Sequence, residues 1–245
     1  MPGVIKKLAS RALFWLQRRM PRLESNPPVG EVNFGDLRRL TPISRHFGYE
    51  RGSPVDRYYI ENFLEACSTD IKGRVLEIGD NAYTTRFGGS RVITKNVLHV
   101  HDNNASAAFV GDLTEAPHIP SDSFDCFILT QTLHLIFDLR AAINTIYRIL
   151  KPGGVLLATA PGISHLSVDE WADYWCWSFT PSTLRRLFAE TFPENHVSVE
   201  QFGNVLASIA FLQGLSTGEL TREELDCNDR CYPLLVTVRA VKPHA

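Results

Sequence analysis

Apolar positions along this chain alternate between two spacings, and the changes of spacing mark out its elements. Short apolar runs bounded by glycine or by polar turns read as buried strands: RVLEIG at 74–79, NVLHV at 96–100, AAFVG at 107–111, DCFILT at 125–130, GVLLATA at 154–160, HVSVEQF at 196–202 and PLLVTVRAV at 233–241. Between them the apolar positions recur every three or four residues. Residues 54–68 predict a helix with Pro54 in its first turn and a buried stripe of Tyr58, Ile60, Phe63, Leu64 and Cys67. LRAAINTIYRILK at 139–151 and PSTLRRLFAETF at 181–192 predict two more. This alternation predicts an α/β fold: a doubly wound, mostly parallel seven-stranded sheet with helices on both faces.

Residues 4–20 also carry a helical pattern, with Ile5, Leu8, Ala12, Trp15, Leu16 and Met20 on one side and Pro21 as its stop. The expected organisation is a basic amphipathic helix with a linker or cap over 1–56, then one α/β domain over 57–245 with insertions at 162–180 and 204–230. The helix reads either as a cap on the domain or as an arm for a membrane surface or a partner. In doubly wound sheets the ligand crevice lies beyond the carboxyl ends of the strands. Gly79, His101, Asp112, Thr130 and Ala160 fall at or just past such ends and are expected along one rim.

Composition narrows the classes of function. The 245 residues suffice for one sizeable core, and no run approaches the roughly 20 apolar residues that span a bilayer. Net charge is −2, but residues 1–25 carry +5 and the remainder −7. An acidic main domain without a basic stripe argues against nucleic acid as substrate. Five cysteines without paired spacing fit a reducing cytoplasm, and Cys227 and Cys231 have no neighbouring histidine to make a zinc site. Composition says nothing of oligomeric state.

The chemistry is concentrated in three stretches. VLEIGDNAYT at 75–84 ends a strand on Gly79, where bare backbone allows close approach of a ligand. Asn81 and Tyr83 stand where an alternating-glycine loop would continue, which weakens a dinucleotide reading, since a pyrophosphate needs bare backbone at the helix start. GDLTEAP at 111–117 is followed by Phe124-Asp125, and FDCFILTQTLHLIFDLRAAINTIYRILKPGGVLLATAPG fills 124–161. Within that block Pro152 forbids continuation of the helix, and a glycine supplies the positive φ of the turn into the next strand.

In this order the three stretches resemble the motifs of class I, Rossmann-like S-adenosylmethionine-dependent methyltransferases, and among them the type 11-like bacterial family, over roughly residues 57–192. The resemblance implies S-adenosyl-L-methionine as cofactor and a Rossmann-like methyltransferase sheet with an N-terminal helical extension. It implies Glu77, Gly79 and Asp80 at the methionine end, and Asp102 as the carboxylate for the ribose hydroxyls, although Asp102-Asn103-Asn104 is also good turn chemistry. It places Asp112 on the adenine amino group, Leu113 on the ring, and Thr130 and Gln131 beside the cofactor. No carboxylate–histidine spacing in the chain suggests a metal site.

His134, just past the fourth strand, is the candidate general base, or else it shapes the pocket floor; His165 is the second candidate. Trp171, Tyr174, Trp175 and Trp177 either stack on an acceptor or pack as a lid. The expected reaction is metal-independent methyl transfer to an oxygen of a small molecule or glycan. The alternative is a catalytically inactive, S-adenosylmethionine-binding partner subunit.

Overall fold

The computed structural model describes residues 26–244, so the helical pattern at 4–20 lies outside the described residues. The chain divides into two compact units, Met1–Leu40 and Thr41–Ala245. In the first, a turn closes from Glu31 N–H to the Pro28 carbonyl and a 3₁₀ turn covers Gly35–Leu37.

The second unit is built on seven strands, β1 (Gly73–Ile78), β2 (Val92–His99), β3 (Phe109–Val110), β4 (Phe124–Thr130), β5 (Leu150–Pro161), β6 (Val197–Phe202) and β7 (Leu235–Val241). They form one sheet in the order β3-β2-β1-β4-β5-β7-β6. The first five are parallel, and β7 runs antiparallel between β5 and β6. Each predicted strand is present. β2 starts earlier than expected, at Val92, and β3 keeps only two residues of the predicted five.

Both faces of the sheet are covered, which is why its central strands read as unbroken apolar runs. Leu76, Phe127, Leu129, Leu156 and Ala158 point into one core, and Val75, Cys126, Ile128, Val155 and Leu157 into the other. The first core is closed by α2 (Leu139–Ile149) and α3 (Pro181–Ala189), and the second by α1 (Val55–Ala66) and α4 (Val205–Leu212). In α2, Leu139, Ala142, Ile143, Ile146 and Ile149 make the buried stripe, and Asp138 caps the start by accepting from Ala141 N–H. In α1 the buried face is Val55, Asp56, Tyr59, Ile60, Phe63 and Leu64. Tyr58, expected inside, is only half-buried because its hydroxyl bonds Asp226.

The Lys151-Pro152-Gly153-Gly154 turn is absorbed into β5. Leu150 already pairs with Phe124, the register slips, and regular pairing resumes at Val155 opposite Cys126. Gly153 takes φ +79° in this irregular stretch. Lys151 reaches back to both oxygens of Asp125 at 2.9 and 2.8 Å, and Asp125 also accepts from Arg74 N–H at 2.7 Å. Burial alone would raise the Asp125 carboxyl, but Lys151 and the Arg74 N–H outweigh it and hold it below the usual range.

Two helices lie in the stretch expected as an insertion, α4 and α5 (Arg222–Asp226). Asn204 joins them: its carbonyl oxygen caps α4 through Ala207 N–H, and its amide donates to the Glu224 and Cys227 carbonyls at 2.7 Å each. Asn204→Ala removes a cap and takes the donor from two half-buried carbonyls, so it should cost about 1–3 kcal/mol. Urea unfolding followed by circular dichroism reads this directly; a loss under about 0.5 kcal/mol would mean water replaces all three bonds.

Candidate functional site

At the carboxyl ends of the parallel strands lies a cavity of about 910 Å³, inside the range of roughly 300–1,000 Å³ typical of small-molecule sites. Ile78 and Gly79 line it from β1, His99 and Val100 from β2, Gly111 to Thr114 from the loop after β3, and Thr130 to Thr132 from β4. The expected rim is therefore real for Gly79, Asp112 and Thr130. His101 and Ala160 are replaced in the lining by their neighbours His99, Val100 and Pro161.

Gly79 has φ +82°, and a Cβ built there would meet no atom within 4 Å. The bare backbone thus fronts open space, the shape a closely approaching ligand needs. Glu77 does not line the cavity. It is 1% exposed, and its two oxygens accept from Tyr83 N–H at 3.1 Å and Thr84 N–H at 2.7 Å. These donors lie at the start of the short helical crossover that follows Gly79, whose unpaired N–H groups and dipole suit a carboxylate. Burial nevertheless pushes the Glu77 carboxyl up, against those hydrogen bonds. Glu77 shapes the glycine turn, and Asp80, which holds Ala82 N–H, is likewise outside the lining.

Asp102 is exposed and outside the cavity lining. The β2 residue at that place is His99, whose Nδ1 is tied to the backbone of His101. Asp112 lines the cavity and steadies its own turn by accepting from Thr114 N–H at 2.8 Å, while Leu113 is buried beside it. Thr130 and Gln131 line it as expected. Gln131 has φ +45°, unusual for a non-glycine residue, and its N–H is held by the Thr159 carbonyl at 3.0 Å. Its side-chain amide donates to Asp56 Oδ2 at 3.3 Å.

Asp56 and Arg57, at the start of α1, face the same end. Burial pushes the Asp56 carboxyl up, with Arg57 and Gln131 opposing in part, and its Oδ1 is enclosed without a partner. Burial works against the Arg57 charge, but Asp56 and the Tyr83 and Tyr49 hydroxyls outweigh it and keep the guanidinium protonated. Its nitrogens bond Tyr49 Oη at 2.9 and 3.1 Å and Tyr83 Oη at 3.2 Å. Arg51, earlier in the chain, is committed elsewhere, to Glu219.

His134 lines the cavity and is 4% exposed. Burial depresses its imidazole to about 3, so it is neutral at pH 7. Nδ1 is enclosed without a hydrogen bond, which leaves Nε2 as the ring nitrogen open to a ligand. The ring sits 4.1 Å from that of Trp175. The His134 carbonyl accepts from Cys176 N–H at 2.8 Å and Trp177 N–H at 3.2 Å, and so anchors the 162–180 segment over the strand ends. His165 is not in the lining: its ring stacks on Phe47 at 4.1 Å and 19°. Trp171, Tyr174 and Trp175 do line the cavity. Trp177 is turned away, donating to the Ile136 carbonyl at 3.0 Å and stacking on Phe137.

Sequence reasoning missed Arg45, His46, Phe47 and Tyr49, which line the cavity from residues 41–54, and Phe211 from α4. That stretch has no periodicity to flag it. It is placed by two distant contacts: Ile43 and Ser44 N–H donate to the Gln213 carbonyl, and Gly48 packs on the backbone at Gly214–Leu215.

Residues 88–158 match a family model described as a methyltransferase domain. Over 98 residues the chain is 33% identical to a ubiquinone/menaquinone biosynthesis C-methyltransferase of Pectobacterium carotovorum subsp. carotovorum, covering 39% of this chain and 37% of that protein. The match thus spans little more than a third of that relative's length. Among solved structures, a SAM-dependent methyltransferase from Archaeoglobus fulgidus superposes with a TM-score of 0.52 at 15% identity, over 78% of this chain and 96% of that one. The N-methyltransferase NodS from Bradyrhizobium japonicum, in complex with S-adenosyl-L-homocysteine, does so with 0.51 at 14% identity, over 79% and 90%. At these identities the likeness speaks for the fold. Residues 88–158 are thus similar to the methyltransferase domain family, and the sheet that holds them has the Rossmann-like fold seen in these S-adenosylmethionine-dependent methyltransferases.

Proposed function

We propose that this chain is an S-adenosylmethionine-dependent methyltransferase that acts on an oxygen of a small molecule or glycan, without a metal. One observation carries the reading: a single rim cavity joins the open Gly79 backbone and the Asp112–Leu113 pair to the aromatic 162–180 segment. The chemistry of the lining suits the cofactor. Asp56, Arg57 and Gln131 offer polar partners for its amino-acid end, and Asp112 and Leu113 an acceptor and an apolar surface for adenine. Bound S-adenosylmethionine supplies a methyl group already activated on a sulfonium, so the protein's task is chiefly alignment, which can contribute roughly 7–11 kcal/mol.

The Pectobacterium relatives are named as C-methyltransferases, so a carbon acceptor is the outcome against which the oxygen reading is tested. Asn81 and Tyr83, in place of later glycines, motivate the alternative of an inactive cofactor-binding partner subunit. Cofactor binding with no turnover on any acceptor would favour it. The free cysteines Cys67, Cys126, Cys176, Cys227 and Cys231 support a reducing, cytoplasmic setting. The +5 charge of residues 1–25 supports a peripheral membrane contact through residues 1–24. Among the described residues no helix is long and apolar enough to cross a membrane.

Calorimetric titration should show S-adenosylhomocysteine binding more tightly than any nicotinamide nucleotide. Asp112→Ala should weaken that binding by about 1–3 kcal/mol, whereas Asp102→Ala, outside the lining, should leave it unchanged. Tighter binding of a nicotinamide nucleotide would sink the assignment. The intact chain should co-sediment with anionic vesicles at low salt, and a chain that stays in the supernatant removes the membrane contact.

His134 is read as an aligning group and not as the base, because a general base works best with a pKa near the operating pH. His134→Gln should therefore change turnover by less than about tenfold, against the 10²–10⁴ expected for a lost base. Its titration gives a second check. The unfolded imidazole protonates near about 6.5 and the folded one only near about 3. As pH falls through this window the unfolded state takes the proton first, so the stability due to the neutral ring is full above pH 6.5. Below it, that stability shrinks by about 1.4 kcal/mol per pH unit. Asp56 and Glu77, pushed up by burial, titrate in the opposite sense, so the measurement is the difference between wild type and His134→Gln in urea. A difference that does not change between pH 7 and 5 would show an imidazole that titrates normally.

A further inference from the structure

Strand β2 lies between β1 and β3 in the sheet, and its last residue is His99. The backbone ties it to both neighbours. The His99 carbonyl accepts from Gly111 N–H at 3.0 Å, and the Leu98 carbonyl just before it accepts from Gly79 N–H at 2.9 Å. His99 therefore stands between the open Gly79 turn and the Asp112–Leu113 pair. The lining residues in this interval are His99, Val100 and Gly111. Val100 and Gly111 carry no polar side-chain atom, and Asp102, the carboxylate expected here, is exposed and outside the lining.

The half-buried His99 ring is already oriented. Its Nδ1 lies 3.0 Å from the His101 carbonyl and 3.2 Å from the His101 N–H. With a proton on Nδ1 the first contact is the hydrogen bond, and without it the second. Either tautomer spends Nδ1 on the backbone and leaves Nε2 over. The His101 ring in turn stacks on Trp171, with centroids 6.0 Å apart and planes 27° apart, which steadies the residue that holds His99.

We propose that His99 Nε2 binds a ribose hydroxyl of S-adenosylmethionine, an imidazole standing where a carboxylate was expected. This deepens the methyltransferase reading and rests on it. The covalent order of the cofactor supports it: the ribose joins adenine to the sulfonium and the amino-acid end. With adenine at Asp112 and Leu113 and the amino-acid end at Gly79, Asp56 and Arg57, the sugar falls across the end of β2. A hydroxyl both donates and accepts, so it pairs with either tautomer. The two kinds of group differ in capacity. A carboxylate has two oxygens and can accept from both ribose hydroxyls, whereas an imidazole with one nitrogen spent on the backbone reaches a single one. Coupling of His99 to one hydroxyl alone is the signature of this site.

The test is calorimetric titration of the full-length chain with S-adenosylhomocysteine and with its 2′-deoxy and 3′-deoxy forms. In the wild type one of the two deoxy forms should lose about fivefold in affinity, as for one net hydrogen bond. His99→Ala should weaken the intact compound by a similar factor, and that same deoxy form should then lose nothing further. His99→Gln, which keeps a polar amide, should recover most of the affinity, and Asp102→Ala should keep the wild-type pattern. Should the alanine variant not fold, the Nε2 resonance of His99 in the wild-type protein serves: it should move with S-adenosylhomocysteine and stay in place with the form that lacks the coupled hydroxyl. Losses that multiply in His99→Ala, as a purely structural role for the ring would give, overturn the proposal. So does a coupling that disappears in Asp102→Ala instead. If S-adenosylhomocysteine fails to bind the wild type, the methyltransferase reading falls; if it binds and neither deoxy form loses affinity, only the assignment of His99 falls.

Discussion

Parallel strands buried on both faces can meet water and ligands only at their ends, and most of this molecule follows from that constraint. With Leu76, Phe127 and Leu156 in one core and Val75, Ile128 and Leu157 in the other, the central strands have no face left for chemistry. Polar function is driven to the carboxyl ends, where Gly79, His99, Thr130 and Pro161 come to the edge of one cavity. The antiparallel β7 extends the sheet beside β5 without adding to that parallel rim, and Leu234, just before it, reaches the lining from the other direction. The alignment rests on ties such as Asp125 to Lys151 and Arg74, which lock β4 to its two neighbours at the end opposite the cavity.

The buried ionisable groups divide the cavity into two chemical regions. At the β1 and α1 end, both Glu77 oxygens hold the Tyr83 and Thr84 N–H groups behind the glycine turn, outside the cavity lining. Asp56 and Arg57 share that end as a pair, with tyrosine hydroxyls around the guanidinium. Beyond β4, burial has made His134 a neutral hydrogen-bonding group in the lining. The Asp56–Arg57 pair at one end suits a cofactor with a charged tail, and a neutral His134 suits a reaction that depends on alignment.

The elements that close the cavity come from far apart in the chain. The segment at 162–180 leaves β5 and is pinned by Cys176 and Trp177 N–H to the His134 carbonyl, so the aromatic wall and the neutral histidine are placed by the same backbone contact. On another side, residues 41–54 lie against the turn after α4, which brings Phe47 within ring contact of Phe211. Asn204 ties α4 to α5, so a single amide stabilises the platform on which Phe211 sits.

The strand runs, the stripe of α2 and the turn at Pro152 were legible in the sequence because they rest on local physics: side-chain period, capping and the missing N–H of proline. So was the order of the motifs, and with it the rim that holds Gly79, Asp112, Thr130 and Gln131. Which side chains face the cavity was decided only by tertiary structure. Asp102 reads as a ribose ligand by spacing, yet the strand ends at His99 and leaves Asp102 on the surface. Glu77 reads as a ligand by position, yet the crossover behind it supplies two closer N–H groups. His165 and Trp177 are turned away by Phe47 and by the Ile136 carbonyl, partners more than 40 residues distant in the chain. Periodicity reports the direction of a side chain relative to its own element, and long-range packing determines what stands in front of it.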